Sequence, residues 1–203
     1  MPLKKLLDKK SPYLFFIKFL SCFFILYFFF PFYRGITGKG GKLYSAFFDD
    51  HFNIIKGLTN FLTGAAKWVL EALHYTVHQP NYHTLRIGYL GGVSVNPSCL
   101  GWGVMSFWIA FVFANSGGAR HKFKWLLLGI IFINVLNITR IVLIAVASHL
   151  NWKTVTSFDN HQVFNVFSYA CIFILMYLYT QVQKKYDGMD FKRKQEKNSL
   201  TVV

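Results

Sequence analysis

Four long apolar runs, with most of the lysines and arginines in short segments beside them, constrain this chain more than any other feature. They extend over about Tyr13 to Tyr33, Leu100 to Ser116, Trp125 to His149 and Gln162 to Val182. Runs of this length and apolarity match the hydrocarbon thickness of a bilayer. In lipid every backbone N–H and C=O must be satisfied within the spanning structure, which leaves helices as the simplest solution for single segments. The sequence therefore predicts an all-α polytopic membrane protein with about four transmembrane helices. Its 54% hydrophobic and 19% aromatic content agrees, being too apolar for a soluble globule.

The net charge of +14 would suggest a nucleic-acid partner in a soluble protein. Here the cations flank the apolar runs, so the positive-inside rule accounts for them and no nucleic-acid partner is expected. Lys4, Lys5, Lys9 and Lys10 form a basic head. Gly117 to Lys124 is a short basic loop. Lys184, Lys185, Lys192, Arg193, Lys194 and Lys197 form a basic tail. All three are expected on the cytoplasmic side, with anionic membrane lipids as partners of head and tail. The segment His149 to His161 carries only Lys153 against Asp159 and is expected outside. No small-residue cleavage site follows the first run, so it reads as a retained span. The division expected is a cytoplasmic head (1–12), one membrane-embedded domain (13–182) and a disordered cytoplasmic tail (183–203).

Asn53 to His78 is amphipathic. Ile54, Leu58, Phe61, Leu62, Ala65, Val69, Leu73 and Val77 share one face; Lys56, Asn60, Thr63, Lys67, Glu71, His74 and His78 share the other. Such a helix can lie in the interface plane. An additional crossing is the other option, but it would move the basic head outside. Between it and the second run, apolar alternation around Gly91-Gly92 predicts a small β-hairpin.

Three polar residues stand near the outer ends of apolar segments. Cys99 lies in Asn96-Pro-Ser-Cys, Arg140 in Asn137-Ile-Thr-Arg, and His161 in Asp159-Asn-His. A cysteine at a helix N-terminus gains thiolate character from the dipole and the free N–H groups. A buried arginine in a membrane helix is costly and marks a site; it can hold a developing oxyanion. Asn134 and Asn137 precede it at three-residue steps, and Asn137 can orient the guanidinium or bond across helices. A histidine can relay the thiol proton to a leaving amine, with Asp159 as its orienting partner. Arg140 lies nine residues before His149, roughly 13 Å along the helix, and a long side chain spans part of that distance. Cys22 and Cys171 sit inside apolar runs and read as small hydrophobes. His74, His78 and His83 have metal-compatible spacing but no acidic partner. No metal or cofactor is expected.

Cys99, Arg140 with Asn137, and His161 together resemble the exosortase/archaeosortase family of membrane transpeptidases, over about Leu85 to Tyr179. That family has a cysteine at the outer start of a helix, an arginine late in the next, and a histidine or second arginine at the start of the following one. Leu100 stands where a serine usually follows the cysteine, Gly101 is kept, and Asn165 replaces a small residue. The resemblance implies a cysteine transpeptidase whose catalytic residues are Cys99, Arg140 and His161. It implies substrates that are exported proteins with a C-terminal signal of short motif, membrane helix and basic end. An acyl-enzyme would pass to an amine of a lipid or surface acceptor, in a bacterial inner membrane. A non-catalytic subunit of an envelope polysaccharide or transport assembly is the alternative; a transporter fits less well, because broken-helix pairs are not visible.

Overall fold

The structure, a computed structural model, describes residues 12–41, 43–88, 91–150 and 160–200; side chains at 98, 160–165, 187 and 190–200 lie outside the description. Among the described residues six helices are seen: α1 (Pro12–Thr37), α2 (Ala46–Phe52), α3 (Ile54–Ala72), α4 (Trp102–Ala114), α5 (Ala119–His149) and α6 (Asn160–Leu200). Strands β1 (Val77–Asn81), β2 (Thr84–Ile87) and β3 (Gly91–Ser94) and a 3-10 turn, Pro97–Leu100, fall between α3 and α4.

Among the described residues, three helical segments are long and apolar enough to cross a membrane: α1, α5 and Val166–Tyr186 of α6. The second apolar run, Leu100 to Ser116, is shorter as a helix than its composition predicts. α4 has 13 residues, about 20 Å at 1.5 Å per residue, against about 30 Å of hydrocarbon. Its missing turn is taken by the Pro97–Leu100 segment and by Gly101, whose φ of 68° stops a helix from running through. α6 continues to Leu200, well past the apolar run that ends near Val182, through most of the segment expected to be disordered.

α1 packs chiefly on α4, and the two run antiparallel. Phe15 meets Phe111 near one end and Phe30 stacks on Trp102 near the other, with ring centroids 6.2 and 5.2 Å apart. The Trp102 indole donates to the Leu26 carbonyl at 2.9 Å, pinning the start of α4 to α1. Gly129 on α5 leaves room for the Trp108 ring, which a Cβ would displace. A first apolar cluster forms around Trp108, built by Met105, Trp108, Phe111, Val112, Ile133, Ile172, Leu175 and Tyr179.

A second cluster joins α3, the sheet and the far half of α5. Leu62, Ala66 and Leu70 of α3 meet Leu85, Ile87 and Val95 of the sheet region, Leu100, and Ile141, Val142 and Ala145. Each fully buried side chain of this size contributes roughly 1.5–3 kcal/mol. Asn137 and Arg140 lie on α5 between Ile133 of the first cluster and Ile141 of the second. The seam between the two cores is where α4 begins.

Three details depart from the sequence pattern. First, α3 ends at Ala72, followed by His74 at φ 68°, so Val77 and His78 start β1 instead of continuing a helix. Second, α3 has two apolar stripes. Thr59, Leu62, Thr63, Ala66 and Leu70 face the protein, while Ile54, Phe61 and Trp68, seven residues apart, are exposed. Periodicity alone merges two adjoining stripes into one face. Thr63, expected on the polar side, is buried with its hydroxyl 2.7 Å from the Tyr82 carbonyl. Third, the sheet has three antiparallel strands, and Gly91 and Gly92 pair with Ile87 and Arg86 within β3. They are not the hairpin turn. A Cβ on Gly91 would lie 2.5 Å from His149 Cα, so glycine there permits the sheet to press on the α5 backbone.

Candidate active site

The Cys99 turn is held from three directions. Its own amide donates to the Asn96 carbonyl at 2.8 Å. Pro97 occupies the first position of the 3-10 turn, where no donor is needed. The Asn137 side-chain amide donates to the Leu100 carbonyl at 3.1 Å, across from α5. That bond is buried, and an unpaired carbonyl there would cost about 1–3 kcal/mol. Gly101 completes the lock: a Cβ would sit 2.7 Å from Asn137 Nδ2. Asn137 thus bonds across helices to the turn that bears the cysteine.

Cys99 lies within the 3-10 turn, two residues before Gly101 and three before the first residue of α4. The expectation of a cysteine on an α-helical N-terminus is corrected to this geometry, because the left-handed Gly101 separates turn from helix. Cys99 is half-buried and packs against the second cluster. Cys22 and Cys171, by contrast, lie within α1 and α6.

Arg140, one turn beyond Asn137, is 7% exposed. It lines an 800 Å³ groove together with Pro97 and Gly101, the residues that bracket Cys99. Phe23, Tyr27 and Phe30 of α1 form one wall; Ser168, Tyr169, Ile172 and Phe173 of α6 form the other. Trp102, Gly103 and Phe107 of α4 form the floor. Arg140 is the one charged residue lining the groove among the described residues.

His161 belongs to the first turn of α6, two helical turns before Ser168; its side chain lies outside the described residues. Asp159 also lies outside them. The structure therefore brings Asn137, Arg140 and the Cys99 turn to one place, and puts the start of the helix bearing His161 before its groove-lining stretch.

On the other side of Pro97 is a polar basin of 560 Å³, lined by Arg34, Lys39, Asp49, Asp50, Lys56 and His83 among others. Asn53 donates to Asp49 at 2.7 Å and holds its carboxyl below the usual range against the opposing effect of desolvation, with help from Tyr44, Lys39 and Lys56. His74 and His78 stand on a post-helical turn and on a strand, so their four-residue spacing does not place them on one helix face. Among the described residues no group of three or more metal-ligating side chains forms.

The groove-lining aromatics were not singled out by sequence. Their signal was present in the clustering of Phe and Tyr along α1, yet a lipid-facing helix shows the same composition.

Residues 44–178, well over half of the chain, match a family model described as transmembrane exosortase. No curated protein and no solved structure matches the chain.

Proposed function

Because this chain belongs to the transmembrane exosortase family, we propose that it is a membrane-embedded cysteine transpeptidase that cleaves a C-terminal sorting signal of exported proteins. The observation that carries this reading is the placement of Asn137 and Arg140 around the Cys99 turn, at the rim of an apolar groove. A nucleophile, a fixed cation and a lipid-facing slot are what cutting beside a membrane helix requires.

In this reading the Cys99 thiolate attacks the carbonyl carbon of the scissile bond. A C–S bond forms, and the carbonyl oxygen takes up the negative charge. The Arg140 guanidinium donates to that oxyanion; in a water-poor site such donors contribute several kcal/mol to the barrier. As the intermediate collapses, the C–N bond breaks and His161 gives its proton to the leaving amine. The acyl thioester is then attacked by an acceptor amine on a lipid or surface molecule. A new C–N bond forms, the C–S bond breaks, and His161 takes the amine proton. Asn137 keeps the turn in place throughout, and Asp159 orients His161. The reaction needs neither metal nor cofactor.

The site would face the extracytoplasmic side, with both termini in the cytoplasm of a bacterial inner membrane. The charge distribution supports this. Arg120, Lys122 and Lys124 stand at the α4–α5 end, whereas the Pro97 end mixes Asp49 and Asp50 with its cations.

Replacing Cys99 with alanine in cells tests the reading. Uncleaved exported proteins with a C-terminal helix should accumulate while the variant is still inserted in the membrane. Cys22→Ala and Cys171→Ala should process normally. Normal processing by Cys99→Ala would remove the nucleophile assignment.

A further inference from the structure

We propose that the groove between α1 and α6 seats the first turns of the apolar helix that follows the scissile bond, and that Gly103 sets how closely that helix approaches. The proposal rests on the transpeptidase reading for the identity of its occupant. Its geometry does not.

The groove begins at Pro97 and Gly101, beside the Cys99 turn, and runs along α4 to Phe107. On α1 its lining extends from Pro31 to Phe23, a length of about 12 Å at 1.5 Å per residue. That is room for roughly two helical turns. Among the described residues its one charged group, Arg140, sits with Asn137 near the end where the groove meets the turn, and the rest of the described wall is almost wholly apolar and aromatic. The matching ligand has a polar carbonyl at one end and an apolar body behind it. A peptide that enters such a slot has to satisfy its own N–H and C=O groups, so it enters as a helix.

The floor is built for close approach. A Cβ at Gly103 would meet only the Tyr27 ring, at 3.6 and 3.9 Å, with nothing else within 4 Å. Small residues at such positions let membrane helices pack backbone to backbone. Tyr27, Tyr169 and Phe173 remain 46, 52 and 65% exposed, so the walls are open to an occupant. Alanine at Gly103 fits the space available, whereas leucine would project into the groove.

The test uses full-length Cys99→Ala protein in lipid nanodiscs, so that binding is read without turnover. The probe is a synthetic peptide with a short polar segment, about 20 apolar residues and a lysine-rich end. It carries a benzophenone in its first helical turn. Irradiation should give adducts at Tyr27, Phe107, Tyr169 or Phe173. Gly103→Ala should keep this labelling, and Gly103→Leu should lower it roughly tenfold by occluding the floor. Phe173→Ala, an exposed wall position, should lower it several-fold without touching the α4 packing. Labelling spread over lipid-facing positions such as Phe113 and Ile131 would mean that only lipid chains occupy the groove, and would overturn the proposal. So would groove labelling that Gly103→Leu and Phe173→Ala leave unchanged. Specific labelling in a protein whose Cys99→Ala form still processes would sink the transpeptidase reading and leave the groove assignment standing.

Discussion

At the scale of single residues the account turns on Arg140. A guanidinium at 7% exposure inside an apolar helix is retained against a substantial desolvation cost. If it only neutralises its surroundings, lysine should serve. If it holds an oxyanion through directed hydrogen bonds, the loss of its planar fork should slow turnover by about 10²–10³. We expect Arg140→Lys to be inserted and folded but severely slowed in single-turnover processing; wild-type turnover would make Arg140 structural. Asn137→Ala should do less to the chemical step. Its bond is to the Leu100 carbonyl at 3.1 Å, so the expected effect is a looser turn and a loss of about 1–3 kcal/mol in stability. The sequence placed Asn137 beside Arg140 by helical spacing but left open which partner it bonds. Only the tertiary contact with the turn settles that, because it joins residues 37 apart in the chain.

At the scale of elements, hydropathy located α1, α5 and α6 because lipid imposes a long, continuous signal. It misjudged α4, whose apolar run includes a turn. Leu100 is apolar because it is fully buried in the second cluster, and composition does not distinguish that burial from lipid exposure. β1 was missed because Val77 and His78 continue the 3.6-residue pattern of α3, while the helix stops through a left-handed His74 without a glycine to announce it. The two glycines of β3 were visible, but their cause was not. They answer to α5 and not to a turn: the Gly92 amide reaches Ser148 Oγ at 3.3 Å, and Gly91 touches His149. Gly91→Val should therefore push the sheet off α5, whereas a hairpin glycine would affect only β2 and β3. The expected result is a destabilisation of about 1–3 kcal/mol, read as an earlier thermal loss of membrane-extracted folded protein. No change in thermal stability would contradict the close packing.

At the scale of the whole molecule, the two apolar clusters meet where α4 starts, and the Cys99 turn with Asn137 and Arg140 sits at that seam. A largely apolar groove and a polar basin share Pro97 as their boundary. The proposed orientation puts the basin in water outside the cell. A membrane-impermeant maleimide should then label Cys99 in intact spheroplasts and leave Cys22 and Cys171 unmodified, since those two lie within membrane-spanning helices. Labelling of Cys99 only after the membrane is opened would reverse the topology. The central claim is covalent, and mass spectrometry of the Cys99-containing peptide tests it most directly. Wild-type protein, acid-quenched from cells exporting a substrate with a C-terminal helix, should carry a hydroxylamine-labile acyl adduct on Cys99, and none on Cys22 or Cys171. Active processing with no thioester on Cys99, or with the adduct on another residue, would contradict the account.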